Sequence, residues 1–280
     1  MKVIHFLRLS LAALLLSLPA AGALAQPAQK PYEPQVGQEG KDVIWVPTPQ
    51  ALVEKMLDMT KVTPNDYVID LGSGDGRTVI TAAKRGARAL GIEYNPDMVE
   101  LSKRNAAKEG VSGKANFIKA DIFESNFAEA TVITMYLLPS LNVKLRPKLL
   151  NLKPGTRIVS HAFTMEEWQA DQTEMVENRT AYMWIVPAKV EGAWQLPQGE
   201  LVLTQRFQTL AGTLKSGSNS VMIANGKMNG DQISFTAGSV EYTGRVSGNT
   251  IQGTVKGGSA ANWRATRGAK PVEPPSTKYE

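Results

Sequence analysis

The sequence predicts an α/β protein: a doubly wound, mostly parallel sheet followed by a small antiparallel β-domain. Three observations predict it. Between Tyr67 and Ser160, short apolar runs alternate with amphipathic helical stretches, the pattern of a parallel sheet covered on both faces. A turn with glycine at positions 72, 74 and 76 joins the first of these runs to the helical stretch after it. Beyond about Gly192 helical periodicity ends. Gly, Ser, Asn and Thr rise there, and the dipeptides Asn229-Gly230 and Gly248-Asn249 punctuate short alternating runs, as in antiparallel hairpins.

Taken in order, the chain opens with Lys2 and Arg8 around and before an apolar run, Leu9 to Leu18. Pro19 follows, then Ala23-Leu24-Ala25. A basic start, a short apolar core and an A-x-A site make a secretory signal peptide over residues 1–25. The expectation is cleavage after Ala25, export to a periplasm and no transmembrane span afterwards. The alternative is an uncleaved N-terminus anchoring the chain to the inner membrane. The absence of cysteine excludes disulfides and thiolate metal sites. A net charge of +5 without a dense Lys/Arg run gives no nucleic-acid footprint.

Residues 26–42, rich in Pro, Gln and Gly, predict a flexible leader. A first domain is expected over 43–192. Thr48-Pro49 reads as an N-cap with proline at the first helical position, and Leu52, Val53, Met56, Leu57 and Met59 supply that helix's apolar face. Strands are expected at 67–71, 89–93, 115–120, 130–136 and 157–160, with helices near 78–85, 96–109 and 141–150. Asn95 is the expected cap of the second of these helices. Glu166-Glu167 is expected on a solvated helix face. A β-rich domain over 197–268, a meander or small barrel, contains an internal echo: Gly226-Lys-Met-Asn-Gly-Asp-Gln-Ile against Gly244-Arg-Val-Ser-Gly-Asn-Thr-Ile. Residues 269–280 read as a loose tail.

Doubly wound sheets bind ligands outside the carboxyl ends of their strands, where Asp70, Glu93, Asp121 and Tyr136 are expected. A dinucleotide fingerprint needs a small residue three positions after its second glycine; Arg77 stands there, which disfavours a nicotinamide dehydrogenase. The stretch Asp70-Leu-Gly-Ser-Gly-Asp-Gly-Arg instead resembles the cofactor loop of class I S-adenosyl-L-methionine (SAM) methyltransferases, which have a Rossmann-like fold. That resemblance implies that Asp70, Gly72, Gly74, Asp75 and Gly76 border the cofactor, with glycine N–H groups near the helix start reaching its carboxylate. It implies that Glu93 accepts the ribose hydroxyls beside Asn95, that Asp121 accepts from the adenine amine, and that Ile122 packs on the ring. Thr48 and Gln50 either close over the cofactor or serve the helix start.

The resemblance extends over about residues 43–165, through Val46-Pro-Thr-Pro-Gln, Gly91-Ile-Glu-Tyr-Asn, Lys119-Ala-Asp-Ile-Phe, Tyr136-Leu-Leu-Pro, Leu145-Arg-Pro-Lys-Leu and Lys153-Pro-Gly-Thr-Arg-Ile-Val-Ser-His. These are similar to a bacterial group of class I methyltransferases akin to the mitochondrial lysine methyltransferases that modify the adenine nucleotide translocator and the c-ring protein of ATP synthase. The implied acceptor is a protein lysine amine; the signal peptide and the β-rich domain depart from that group. Tyr136 is the candidate acceptor contact, or else packs beneath the cofactor. His161, the only histidine after the signal segment, is the candidate base, or else structural. Trp45, Trp168, Trp184 and Trp194 either stack on substrate or fill cores. No metal-ligand spacing is present. A different class of function, a non-catalytic envelope module retaining an adenosyl pocket, stays open at this point.

Overall fold

Five parallel strands, β1 (Tyr67–Leu71), β2 (Arg88–Glu93), β3 (Ala115–Lys119), β4 (Val132–Met135) and β5 (Arg157–His161), form the body of the sheet. The structure is a computed structural model describing residues 32–197, 199–258 and 260–268. The signal-peptide segment 1–25 and the tail 269–280 lie outside the described residues. Two further strands, β6 (Gln172–Val176) and β7 (Arg179–Ile185), extend the sheet antiparallel past β5, giving the order β3-β2-β1-β4-β5-β7-β6.

The period of two along β1 sends successive side chains to opposite faces. Val68 joins Val53 and Leu57 of α1 (Gln50–Met59), Val79 of α2 (Arg77–Lys84) and Val99 of α3 (Pro96–Lys108). Ile69 and Leu71 instead pack with Leu145 and Leu149 of α4 (Pro139–Leu149), and with Trp168 and Trp184. Asn95 caps α3 as expected, its Oδ1 accepting from the N–H groups of Asp97 and Met98.

The start of α1 differs from expectation. Pro49, not Thr48, takes the capping position, and no side chain caps the helix. The Thr48 hydroxyl is committed to His161 instead. Glu166-Glu167 also departs: both sit in a turn bridged by Met165 and Trp168, with Glu166 at φ 53°, rather than on a helix.

The flexible-leader reading fails for its last third. Gly37 N–H donates to the Trp45 carbonyl, Trp45 N–H to Gln38 and Gly40 N–H to Val43, so residues 37–45 close into a narrow strap. Backbone hydrogen bonds to Val43 and Trp45 tie down residues 37–42, which carry no large apolar side chain of their own.

After β7 the chain winds an eight-stranded closed barrel: β8 (Gly192–Leu196), β9 (Gly199–Arg206), β10 (Thr209–Ser216), β11 (Asn219–Asn229), β12 (Gln232–Ala237), β13 (Val240–Ser247), β14 (Thr250–Lys256) and β15 (Asn262–Arg267). Neighbours are antiparallel, and β15 closes on β8 through Thr266 with Gln195 and Arg267 with Trp194. The barrel thus begins at Gly192 rather than 197, because β8 is needed to complete the ring. Trp194, Leu201, Leu203, Ile233, Phe235, Ile251 and Trp263 fill its interior, as eight-stranded barrels allow. The two echoed segments are the corners between β11 and β12 and between β13 and β14. No described helix is long and apolar enough to cross a membrane.

Candidate active site

The carboxyl ends of β1, β2 and β4 and the end of β3 border one cavity of about 520 Å³, a volume in the range of small-molecule sites. Its floor is the glycine turn after β1. Gly72, Gly74 and Gly76 all have positive φ, 78°, 54° and 83°, which only glycine adopts without strain. At Gly74 a Cβ would lie 2.7 Å from Trp45 Nε1 on the strap. At Gly76 it would lie 2.8 Å from Phe117 and Ser102, so Gly76 serves helix–strand packing and does not border the cavity.

All three glycine N–H groups are engaged inside the protein: Gly72 with the Ile92 carbonyl, Gly74 with Glu93 Oε2, and Gly76 with the Ser73 carbonyl. The expectation that they reach a ligand carboxylate is therefore corrected. The glycines bring the backbone close, and their donors tie the turn to the end of β2.

Glu93 holds that tie with one oxygen and accepts the Asn95 N–H with the other. A carboxylate has about four lone-pair sites, so acceptor capacity toward the cavity remains. Asp121, beyond β3, accepts the Phe123 N–H at Oδ1 and pairs with Lys41 of the strap through Oδ2. The Lys41 hydrogen bond, with the Phe123 N–H, holds the Asp121 carboxyl below the usual carboxylate range. Ile122 lines the cavity beside it. Asp75 also lines it and is gripped by Arg77, Nε to Oδ1 at 3.0 Å and Nη2 to Oδ2 at 2.6 Å.

Arg77 was legible only as a departure from the dinucleotide pattern. It also donates from Nη1 to the Thr48 carbonyl at 2.9 Å, clamping the glycine turn to the segment before α1. Gln50 does not close over the cavity; its amide bonds Glu54 and Thr81 on the outer side of α1.

Asp70 is buried, and its Oδ1 accepts from the Thr134 hydroxyl at 2.6 Å. Burial, with the charges of Glu93 and Asp75, pushes its carboxyl up to about 7 against the lowering effect of that bond. The residues lining the cavity include six acidic ones (Glu39, Asp42, Asp70, Asp75, Glu93 and Asp121) and two cationic ones, Lys41 and Arg77. In a chain of net charge +5 this is a locally acidic site, which favours a cationic ligand.

At the other end of the cavity, Tyr136, Leu138, Leu141 and Phe163 form an apolar wall. The Tyr136 ring lies 6.0 Å from that of Phe163 and 3.8 Å from that of His161. His161 is only 1% exposed and does not border the cavity. Burial, with the nearby Arg179 charge, drives its pKa down to about 4. The candidate-base reading is corrected accordingly: His161 backs the Tyr136 ring as a neutral imidazole bonded to Thr48. Trp168, Trp184 and Trp194 are fully buried in cores, and among the four tryptophans considered Trp45 borders the cavity.

The residues present fit an adenosyl cofactor. Glu93 keeps acceptor capacity toward the cavity beyond its bonds to Gly74 and Asn95, and Asp121 with Ile122 adds an acceptor beside an apolar surface. With strand order 3-2-1-4-5-7-6 and this cavity at the strand ends, fold and site define a class I SAM-dependent methyltransferase.

Comparison with known proteins narrows the class. The ANTKMT methyltransferase domain matches residues 70–172, and a DNA methylase family matches residues 34–104. A protein-lysine N-methyltransferase of Saccharolobus islandicus is 44% identical over 151 residues, covering 51% of this chain and 94% of that protein. The mouse lysine N-methyltransferase of the ATP synthase c-ring protein is 32% identical over 177 residues, 63% of this chain and 71% of that protein. Among solved structures, an RNA methyltransferase from Salinibacter ruber in complex with S-adenosyl-L-homocysteine is 48% identical, with a TM-score of 0.51 over 52% of this chain and 96% of that one. The chain belongs to the class I SAM-dependent methyltransferases, in the group of the ANTKMT and ATP synthase c-ring lysine methyltransferases.

Proposed function

We propose that this methyltransferase modifies a protein lysine amine. The observation that carries the reading is the apolar wall of Tyr136, Phe163, Leu138 and Leu141, which lines the same cavity as the acidic cofactor end. The similarity to protein-lysine methyltransferases supports it. Glu93 would take the ribose hydroxyls, Asp121 and Ile122 the adenine, and Asp70 the amino-acid end of SAM. When bound, SAM supplies an electrophilic methyl group on a sulfonium.

The chain's own contribution is positioning and exclusion of water. Desolvation against the apolar wall lowers the pKa of an entering amine. That favours the neutral, nucleophilic form without a dedicated base. His161 keeps the Tyr136 ring in place and carries no charge near neutral pH.

The proposal includes export. The pattern of residues 1–25 supports cleavage after Ala25 and a periplasmic location, with N-terminal sequencing as its check: a retained Met1 in the cytosol refutes it. For the reaction, the full chain is incubated with methyl-tritiated SAM and a fractionated lysate. Label in methylated lysine, abolished by Glu93→Ala, supports the proposal. Label confined to RNA overturns the acceptor.

A further inference from the structure

The barrel lies beyond residue 172, where the ANTKMT match ends, yet one of its corners is part of the methyltransferase core. Phe207, at the turn between β9 and β10, is 7% exposed and belongs to the same cluster as Ile69, Leu145 and Trp184. Its ring stacks on Trp168 at 5.9 Å and 10°, and the Arg146 guanidinium of α4 sits 5.5 Å from its centroid. Phe207 has φ 55°, a left-handed conformation that strains a bulky residue and persists only where packing enforces it. The next residue, Gln208, is also buried, and its amide donates to the Gln169 carbonyl at 2.8 Å.

These contacts converge on residues 162–171, the segment between β5 and β6. Arg146 Nη1 donates to the Met165 carbonyl at 2.9 Å. One turn earlier on α4, Asn142 Nδ2 lies 3.2 Å from the carbonyls of Phe163 and Thr164. Phe163 in turn borders the cavity and faces Tyr136. A continuous set of packed and bonded groups therefore runs from the barrel corner to the apolar wall. The same apolar cluster also holds Leu71 and Ile92, with Ile122 packed against it, but the hydrogen bonds named here from Gln208, Arg146 and Asn142 all end on segment 162–171.

We propose that the β9–β10 corner, through Phe207 and Gln208, is a positioning element for the acceptor end of the cavity. It holds segment 162–171, and with it Phe163, while leaving the cofactor end independent. The assignment of that end to the acceptor rests on the reading under Proposed function.

The test is amide hydrogen exchange on the full chain, with calorimetric titration of S-adenosylhomocysteine on the same samples. In Phe207→Ala the amides of 162–171 should exchange about tenfold faster or more, while those of β1 to β3 keep their protection. Gln208→Ala should show the same pattern more weakly, Phe207→Tyr should restore it, and Met222→Ala, at an exposed barrel position, should leave it unchanged. S-adenosylhomocysteine affinity should stay within about twofold. If Phe207→Ala does not fold, Gln208→Ala and Phe207→Leu carry the measurement. Unchanged exchange in 162–171 overturns the proposal. So does loosening spread evenly over the sheet, or a matching loss of ligand affinity. Absence of ligand binding in the unmodified chain would instead count against the cofactor assignment, and the exchange pattern would still decide the coupling.

Discussion

Thr48 Oγ1 lies 3.0 Å from His161 Nδ1, joining the segment before α1 to the end of β5 across 113 positions of sequence. The Thr48 carbonyl meanwhile holds Arg77, so one residue ties the glycine turn to the histidine that backs Tyr136. Thr48→Val keeps the shape and removes the hydroxyl. It should lower stability by about 1 kcal/mol and reduce methyl transfer more than SAM affinity, measured by urea unfolding and by separate binding and turnover assays.

His161 gives a pH signature. Its folded pKa, about 4, lies below the ordinary value of 6.5 because of burial. The unfolded chain thus binds a proton over a range where the folded chain does not. The contribution is fully present above pH 6.5 and is lost as pH falls toward 4. Urea midpoints should drop across that window in the unmodified chain and drop less steeply in His161→Gln. A pH profile of turnover with a limb near 6.5 that vanishes in the variant would show instead that His161 titrates in the site.

Asp70 shifts in the opposite sense. Its carboxyl is pushed up to about 7, so the folded state binds the extra proton between roughly pH 4 and 7, and stability declines across that range as pH rises to about 7. A cation binds the ionised form better. S-adenosylhomocysteine, whose amino group is cationic, should bind about tenfold more tightly at about pH 8 than at about pH 6 by calorimetry. Asp70→Asn should flatten that dependence and raise the melting temperature at the higher pH.

Glu93 both accepts the N–H groups of Gly74 and Asn95 and faces the cavity. Glu93→Gln should weaken adenosyl binding by about 10- to 100-fold, the worth of one or two charge-assisted hydrogen bonds. Titration calorimetry measures the loss, and a variant binding within about twofold of the unmodified chain would remove Glu93 from the cofactor site.

The two echoed barrel corners should respond unequally to alanine. Gly230 and Gly248 both have positive φ, 60° and 55°. A Cβ on Gly248 meets nothing within 4 Å, whereas one on Gly230 lies 3.0 Å from Gly155 Cα at the foot of β5. Gly248→Ala should cost about 1–2 kcal/mol of backbone strain, and Gly230→Ala a further ~1–3 kcal/mol of overpacking. Thermal melts of the two variants, read side by side, give the difference.

Local pattern carried much of this molecule. The strands β1 to β5, the capped α3 and the placement of Asp70, Glu93, Asp121 and Ile122 at one cavity follow from periodicity and a spaced motif. What escaped is decided at long range. The leader part of the strap, 37–42, carries no large apolar residue, and its Lys41 pairs with Asp121 across 80 positions. The burial of His161 behind Tyr136, and Thr48's preference for it over helix capping, depend on a partner on another strand. The involvement of Phe207 in the sheet's core depends on Trp168 and Arg146, distant in sequence. Arg77 carried a signal, an arginine where a dinucleotide site needs a small residue, but its bond to Thr48 was not legible.

The acidity of the cavity wall has a consequence for turnover. SAM carries one more positive charge than the S-adenosylhomocysteine left after transfer, because the sulfonium becomes a thioether. Six acidic groups against two cationic ones hold the charged donor more strongly than its spent form. Each transfer thus weakens the pocket's grip on its own cofactor, and the field that loads the site also helps to empty it.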